Sequence, residues 1–222
     1  MKAMILAAGK GTRLAPLTQL TPKPMLTLAG RPLIEWQVQA LAQAGVDEIV
    51  INLHHLGGQI SNYLGNGEKY DLKITYCHEI ELLETGGGIV NALPFLGDQP
   101  FYLFNGDIWT DFNFQKLPAR PRQDNLAHLV ITPTPKNRPT GDFQFTNGQI
   151  TGRGNDYVYC GIALLNPALF SGQSKRHFSL RDLYFDLISQ GRLGAQTHQG
   201  RWHDIGTLQE YTLLQREVKA PS

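Results

Sequence analysis

The chain has 222 residues, of which 41% are hydrophobic and 18% are charged, and its formal net charge is +1. This length and composition are typical of one soluble α/β domain, or at most two small ones, with a sizeable core. The small net charge gives no electrostatic case for binding nucleic acid or an anionic membrane, and we expect neither partner.

The first half of the chain alternates apolar strand patterns with helical patterns. Strands are predicted at residues 3–7, 48–53, 72–77 and 101–104, and helices at 32–44, 58–64 and 88–96. Pro32 suits the first turn of its helix, and Gly45 suits the stop that follows. Strands that alternate with helices predict parallel β-α-β units.

The second half has a different pattern, with long apolar strands predicted at 126–132 and 157–165. Residues 143–150 are interpreted as a hairpin through Asn147-Gly148, and residues 193–197 and 201–204 as a second one through Gln199-Gly200. Helices are predicted at 180–190 and 207–219, the latter opened by Thr207 and Glu210 as a capping box. The whole predicts one α/β domain, with a mixed, mostly parallel central sheet, helices on both faces and an antiparallel insertion.

The cysteines and the N-terminus point to an intracellular setting. Cys77 and Cys160 lie in apolar strand patterns without metal-site spacing, so we interpret them as core residues. The apolar N-terminus resembles a signal peptide but stops at Gly9 without a cleavage site. No apolar run approaches the ~20 residues of a membrane span. We therefore expect a cytoplasmic protein that has no membrane partner.

Residues 5–24 hold the most informative motif. Gly9 and Gly11 follow the first strand, and the lack of a Cβ lets the backbone turn its N–H groups toward an anion. Arg13 can fork onto phosphate oxygens. Lys23 lies between two prolines, which restrict the backbone around its ammonium group. A strand, a glycine loop, an arginine and a restrained lysine together predict a polyphosphate site.

Two better-known glycine loops are excluded by the residues around this motif. A P-loop needs Lys followed by Ser or Thr after its last glycine, but Thr12-Arg13 follows Gly11. A dinucleotide-binding loop needs a third Gly or Ala three residues after the second, and that residue is Leu14.

Two aspartates are candidate metal ligands. Asp107 follows the fourth strand in Asn105-Gly106-Asp107, and ligands of α/β sheets bind beyond the carboxyl ends of strands. Asp204 precedes the closing helix, which Thr207 caps better. A turn role remains open for Asp107 and a capping role for Asp204. Two carboxylates together with phosphate or water ligands suit Mg²⁺.

The assembled motifs resemble the signature of the sugar-1-phosphate nucleotidylyltransferases, and the resemblance spans nearly the whole chain. That family carries Gly-x-Gly-Thr-Arg, Pro-Leu-Thr and Pro-Lys-Pro, then a Gly-Asp after the fourth strand and a late Trp-x-Asp-x-Gly-Thr. The resemblance implies a Rossmann-like nucleotidyltransferase (GT-A-like) fold in a single domain over residues 1–222. It also implies that Asp107 and Asp204 hold Mg²⁺ and that Arg13 and Lys23 act on the reacting phosphates.

The other candidate residues divide between two substrates. Residues 1–111 mainly bind the nucleotide and the metal, and residues 112–222 mainly bind the sugar phosphate and supply the second metal carboxylate. The nucleotide is expected to contact Ala8, Gly9, Gly11, Thr12 and Arg13, and a loop of Glu84, Thr85, Gly86 and Gly87. Glu79 or a backbone carbonyl near Glu84 is the expected acceptor for the ring N–H of the base. The sugar is expected to contact Asn105, Gly141, Asp142, Arg153 and Gly161.

The strings at 83–89, 105–111 and 202–207 resemble those of the branch that uses UTP and N-acetylmuramic acid 1-phosphate, for whose lactyl carboxylate Arg153 or Arg138 is the candidate partner. Glu84 departs from the family, since many relatives have Gly there, and the Glu-Lys-Pro string of hexose-phosphate relatives is missing. Guanylyl or thymidylyl transfer to mannose, heptose or glucose 1-phosphate stays open, as does a catalytically silent regulatory homologue. Only small-molecule substrates are expected as partners, with the chain a monomer or a weak dimer.

Overall fold

The computed structural model describes residues 1–122, 124–136, 138–174 and 176–218. The strands are β1 (Lys2–Leu6), β2 (Thr27–Leu28), β3 (Arg31–Pro32), β4 (Glu48–Leu53), β5 (Lys73–His78), β6 (Phe101–Asn105), β7 (Ile108–Thr110), β8 (Ala127–Pro133), β9 (Phe143–Thr146), β10 (Gln149–Arg153), β11 (Tyr157–Leu165), β12 (Leu193–Thr197) and β13 (Trp202–Asp204). The α-helices are α1 (Leu17–Leu20), α2 (Leu33–Gln43), α3 (Gly57–Leu64), α4 (Glu84–Leu96), α5 (Leu180–Ser189) and α6 (Leu208–Glu217).

A nine-stranded sheet forms the centre of the molecule, in the order β5-β4-β1-β6-β11-β8-β12-β10-β9. Strands β5, β4, β1 and β6 run parallel, as the alternating pattern predicts. Beyond β6, β11 pairs antiparallel with both β6 and β8, and β10 pairs antiparallel with β9 and β12. The antiparallel pairing therefore covers much of the second half of the sheet, and only β12 and β8 are parallel there.

Helices cover both faces of this sheet, because its central strands are apolar on both sides. On one face α2 buries Ile34, Val38 and Leu41 against the side chains of β1 and β4. On the other face α4 and α5 pack with residues such as Ile89 and Leu183. A third apolar cluster joins α6 to the loop after β1 and to the start of α2. The core therefore holds the carboxyl ends of β1 and β6 side by side.

The predicted hairpin between residues 193–197 and 201–204 is wrong. Strand β12 runs parallel to β8, where Leu193 and Ala195 are buried. Strand β13 pairs instead with β7, placing Asp204 opposite Ile108. The indole of Trp202 donates to the carbonyl of Cys160 at 2.8 Å, a long-range contact that anchors β13 away from β12. Tertiary pairing thus overrides the local turn signal at Gln199-Gly200 and brings Asp204 beside the end of β6.

The closing helix begins as the capping box predicts. The Glu210 N–H donates to the hydroxyl oxygen of Thr207 at 3.2 Å, and the Glu210 carboxylate accepts from the Gly206 N–H at 2.9 Å. Helix α6 ends at Glu217. The predicted end at residue 219 lies outside the described residues. No helix in the described part of the chain is both long and apolar enough to cross a membrane.

Candidate active site

Two adjoining cavities open at the carboxyl ends of β1 and β6. The first cavity has a volume of about 560 Å³, and the candidate residues that line it are Ala8, Gly9, Gly11, Thr12, Arg13, Lys23, Glu84, Thr85, Asn105 and Asp107. The second cavity has a volume of about 750 Å³, and the candidate residues that line it are Thr85, Asn105, Gly141, Asp142, Arg153 and Asp204. Because Thr85 and Asn105 line both, the two cavities meet at these residues.

The loop after β1 lines the first cavity and carries N–H groups that have no described partner. No described residue accepts a hydrogen bond from the N–H of Gly9, Lys10 or Gly11. Gly11 has φ +64°, and a Cβ there would lie 2.9 Å from Thr18 Cγ2, so the position requires glycine. Thr18 also fixes the loop by donating its hydroxyl to the Gly11 carbonyl at 2.8 Å. A rigid loop with unpaired donors beside Arg13 is suited to phosphate oxygens.

Lys23 lies inside the site rather than in an exposed loop. Its side chain is 8% exposed, and Nζ lies 2.7 Å from the Asp107 Oδ2. Pro22 and Pro24 flank it in a short 3-10 turn over Lys23–Met25, which fixes the direction of the side chain. In the free protein the ammonium group therefore serves as the counter-ion of Asp107.

Asp107 and Asp204 come together through the β7–β13 pair. The Ile205 N–H donates to the Asp107 carbonyl at 3.0 Å, and Asp204 lies opposite Ile108 in the ribbon. Burial raises the pKa of Asp204 above its usual value, and the charge of Asp107 raises it further, while Lys23 and Arg13 lower it. The ionised form of Asp204 is therefore disfavoured in the free protein.

The donor chemistry of this pair fits Mg²⁺. In the described part of the chain, no group of three or more His, Cys, Asp or Glu side chains could hold a metal ion. Mg²⁺ commonly binds through one or two carboxylates and completes its octahedron with water and substrate phosphates. Asp107 lines the first cavity and Asp204 the second, so the two candidate ligands border adjoining cavities.

The glycine run after Glu84 is part of a helix, and the predicted loop is wrong. Helix α4 starts at Glu84, which has φ +60°, a backbone conformation that usually favours glycine. The N–H groups of Gly86 and Gly87 donate to the Phe178 carbonyl at 3.0 and 3.3 Å, so neither group is available to a base. A Cβ at Gly86 would lie 2.3 Å from the Phe178 ring. The lack of a side chain at these two glycines leaves room for the segment that crosses over α4. Of the four residues of the predicted loop, only Glu84 and Thr85 line the first cavity.

Glu79 lies behind the cavity wall, not in contact with its space. It is 6% exposed, and its carboxylate accepts from Asn52 Nδ2 at 2.6 Å and from the Leu83 N–H at 3.0 Å. Asn52 lines the first cavity and accepts from the Ala7 N–H at 2.8 Å. The expected contact of Glu79 with the base is therefore corrected, since its carboxylate is occupied and orients Asn52.

Arginines give the second cavity a positive wall. Arg153 lies over the ring of Phe185, with Cζ 4.3 Å from its centroid, and no described carboxylate lies within salt-bridge distance of it. Arg138 instead faces Asp142 at 3.4 Å. The other oxygen of Asp142 accepts from the Tyr159 N–H at 2.9 Å, which ties this carboxylate to the wall. Of the two candidate arginines, Arg153 is the one that no described carboxylate pairs with. Arg181 lines the same cavity, lies over the same Phe185 ring with Cζ 5.9 Å from its centroid, and likewise has no described carboxylate within salt-bridge distance.

The expected sugar contact of Gly161 needs correction. Gly161 has φ +74° and lines neither cavity, and a Cβ there would lie 3.0 Å from the Asn105 side chain. Its role is to leave room for Asn105. The sequence does not predict several lining residues, because only the burial and the chain crossings of the folded protein bring them to the cavities. These residues are Asn52, Leu82, Tyr159, Ser179, Arg181 and Phe185.

Comparisons with known proteins identify relatives of this chain. A family model described as nucleotidyl transferase matches residues 2–143. The N-acetylmuramate alpha-1-phosphate uridylyltransferase of Neisseria meningitidis serogroup B is 42% identical over 219 residues, covering 94% of this chain and 94% of that protein. The mannose-1-phosphate guanyltransferase of Emericella nidulans is 31% identical over 227 residues, covering 95% of this chain and 62% of that protein.

A solved structure extends the comparison to the fold. A Bacillus anthracis protein assigned as a glucose-1-phosphate thymidylyltransferase superposes with a TM-score of 0.88 at 21% identity, covering 100% of this chain and 96% of that one. The predicted fold class is thereby confirmed, and the family match confirms the resemblance that the motifs carry.

Proposed function

Because this chain belongs to the nucleotidyl transferase family, we propose that it transfers a nucleotidyl group from a nucleoside triphosphate to a sugar 1-phosphate and releases pyrophosphate. One observation carries the proposal. A cavity bordered by free loop N–H groups, which Lys23 and Asp107 line, adjoins a cavity bordered by arginines, which Asp204 lines. Two phosphorylated substrates placed in these cavities would have their reacting phosphates at this junction.

The reaction needs no protein base. The nucleophile is an oxygen of the sugar phosphate, whose second pKa near ~6 leaves it mostly ionised at neutral pH. It attacks the α-phosphorus of the triphosphate and forms a new P–O bond. The bond from the α-phosphorus to the oxygen bridging to the β-phosphorus breaks, and pyrophosphate takes the electron pair. Catalysis then depends on bringing two polyanions together and stabilising charge as it moves.

The loop and the two cations divide this work. The N–H groups of Gly9 and Gly11 and the guanidinium of Arg13 hold the β- and γ-phosphates and stabilise the departing pyrophosphate. Lys23 leaves its pairing with Asp107 and bridges the α-phosphate and the sugar phosphate. Asp107 and Asp204 would hold Mg²⁺. When bound, that ion supplies positive charge at the α-phosphate and aligns the attack in line.

Within this reaction we assign UTP and N-acetylmuramic acid 1-phosphate as the substrates. The relative from Neisseria meningitidis, which is named for that sugar phosphate, supports the assignment across almost the whole chain. The lactyl carboxylate of N-acetylmuramate favours a cation or N–H donors in the sugar pocket, and Arg153 supplies a cation that no described carboxylate neutralises. Residues 1–111 then act mainly on the nucleotide and residues 112–222 mainly on the sugar. Asp204 is the exception, because it lies in the second half of the chain but would hold the metal together with Asp107.

The proposed contact with the lactyl group is tested by Arg153→Met. We expect the KM for N-acetylmuramate 1-phosphate to rise ~10- to 100-fold, because a charged hydrogen bond contributes about 1.5–3 kcal/mol. The KM for N-acetylglucosamine 1-phosphate, which lacks the carboxylate, should change little. Arg216→Met, on the exposed side of α6, is the matched control and should leave both constants unchanged. Equal losses for the two sugars would remove Arg153 from carboxylate recognition.

A second candidate is guanylyl transfer to mannose 1-phosphate, favoured by the relative from Emericella nidulans. Pyrophosphate release screened over four nucleoside triphosphates and a panel of sugar 1-phosphates separates the candidates. We expect the highest kcat/KM for UTP with N-acetylmuramate 1-phosphate, with no release when EDTA is present. A maximum for GTP with mannose 1-phosphate would replace the assignment. If none of the substrate pairs gives pyrophosphate release, nucleotidyl transfer is refuted.

A further inference from the structure

The side chain of Gln37 is buried beneath the turn that carries Asp107. Gln37 lies in α2 and is only 6% exposed. Its Nε2 donates two hydrogen bonds, one to the Asn105 carbonyl at 2.9 Å and one to the Ile108 carbonyl at 3.0 Å. Among the described residues its Oε1 has no partner. The side chain therefore keeps a buried, unsatisfied acceptor, which costs free energy, and uses only its donor group.

The two carbonyls that Gln37 holds bracket Gly106-Asp107. A second element also holds Gly106, since its N–H donates to the Leu6 carbonyl of β1 at 2.9 Å and a Cβ there would lie 2.6 Å from that oxygen. The turn between β6 and β7 is thus clamped between β1 and α2. Because Asp204 lies opposite Ile108, the same clamp reaches the strand that carries the second carboxylate.

We propose that Gln37 is a positioning residue for metal binding, an inference that rests on the proposed role of Asp107 and Asp204. Its amide nitrogen sets the separation of the Asn105 and Ile108 carbonyls and so aims the Asp107 carboxylate at the junction of the cavities. The requirement is specific. Both partners are acceptors, so the group between them must carry two donors on one atom, which an amide NH₂ does and a carboxylate or thioether does not.

Removing the two donors should loosen the turn and weaken metal binding. Gln37→Met keeps the length and the burial of the side chain but leaves both carbonyls without this partner. Loss of a residue that orients a metal ligand typically lowers metal affinity or activity 10- to 100-fold, so we expect a fall of about that size. The metal concentration needed for half-maximal activity should rise in parallel, with a smaller change in KM for the nucleotide.

The test measures Mn²⁺ binding to the purified full chain with UTP but no sugar phosphate, from the electron paramagnetic resonance signal of free Mn²⁺, and UTP without protein is the blank. Four proteins are compared: wild type, Gln37→Met, Asp107→Asn, and Val38→Ala as a control for general destabilisation. Val38 is 0% exposed on the same helix, so its truncation should lower the melting temperature without touching the turn. Gln37→Asn, which keeps the amide but is too short to reach, replaces Gln37→Met if that variant does not fold.

The possible outcomes separate the role of Gln37 from the proposed metal site itself. Weaker Mn²⁺ binding in Gln37→Met and Asp107→Asn but not in Val38→Ala supports the inference. Wild-type affinity in Gln37→Met, with a loss in Asp107→Asn, overturns the role of Gln37 and leaves the proposed function standing. An equal loss in Val38→Ala overturns the role of Gln37 as well, because destabilisation alone would explain it. Wild-type affinity in Asp107→Asn removes the metal site itself, and the inference with it.

Discussion

At the residue scale, Lys23 joins the two halves of the proposed chemistry, since it neutralises Asp107 in the free protein and faces the first cavity. Replacing it by Met keeps an apolar stem in a buried place but removes the charge. We expect kcat to fall ~10²–10³-fold, the usual loss for one preorganised charge at a transition state. Steady-state kinetics on protein shown to be folded by circular dichroism checks this. Turnover near the wild-type value would exclude Lys23 from the mechanism.

Asp204 should lower the stability of the metal-free protein while supporting its metal-dependent activity. Because burial and the charge of Asp107 raise its pKa, the folded state binds a proton more tightly than the unfolded state. Stability therefore falls as pH rises from the ordinary carboxyl pKa of ~4 through the raised value in the folded protein. In EDTA at neutral pH, Asp204→Asn should melt at a higher temperature than wild type, and the gain should disappear near the ordinary carboxyl pKa. The same variant should lose metal-dependent activity.

A simple capping role for Asp204 predicts a different pattern. Asn caps helices about as well as Asp, so a cap would leave metal dependence unchanged. The structure gives the cap to Thr207, whose hydroxyl oxygen accepts from Glu210. Melting temperatures that do not depend on this substitution at any pH, together with normal metal dependence, would contradict the proposed place of Asp204.

The candidate residues differ in how far the sequence alone predicts their place in the site. Gly9, Gly11 and Arg13 are close in the chain, so their convergence on one loop can be predicted from it. Glu79 carries the right chemistry, but its carboxylate is used by Asn52 and the Leu83 N–H, which only the folded chain shows. Burial and the direction of a side chain depend on residues far away in the sequence.

At the element scale, the start of α4 is set by tertiary packing rather than by helix propensity. Three successive glycines disfavour a helix, which is why the sequence predicts only its later part, from residue 88. In the structure, Gly86 and Gly87 make room for the segment that crosses over α4, and Leu180 donates its N–H to the Thr85 hydroxyl oxygen at 2.8 Å. The element that borders both cavities is thus held in place by the second half of the chain.

Gly87→Ala should disrupt this crossing. A Cβ at Gly87 would lie 2.0 Å from the Arg176 carbonyl oxygen, a backbone atom that cannot rotate away. We expect a loss of about 1–3 kcal/mol in the free energy of unfolding, as overpacking usually costs. Gly58→Ala is the matched control in α3, since nothing lies within 4 Å of its added Cβ, and it should be neutral or stabilising. Urea unfolding of both variants measures the difference, and equal effects would contradict the packing role of Gly87.

Most strands are predicted to within one or two residues, because short apolar runs bounded by glycine, proline or polar residues are strong local signals. Strand β4, for example, is predicted over its full length. The partner of β13 is not predicted, because a Gln-Gly turn is a local signal and β7 lies some ninety residues earlier in the chain. That missed pairing is the one that brings Asp204 to Asp107.

At the scale of the whole molecule, the two halves of the chain meet at one place. The first cavity is lined almost wholly by residues of the first half, with Gly206 as the exception, and the second mainly by residues from 138 onward. Thr85 and Asn105 border both. This arrangement suits a reaction between two bound phosphates, since each cavity binds one substrate while the junction holds the charged groups that act on both.

The most direct measurement is a competition assay with the intact protein. UTP and Mg²⁺ are supplied with equal concentrations of N-acetylmuramate 1-phosphate and N-acetylglucosamine 1-phosphate, and the nucleotide sugars formed are separated and quantified. The account predicts that the UDP-linked N-acetylmuramate product dominates by ~10-fold or more, as one charged contact allows, with one pyrophosphate released per product. Preference for N-acetylglucosamine would contradict the sugar assignment, and formation of neither product with UTP or any other nucleoside triphosphate would contradict nucleotidyl transfer itself.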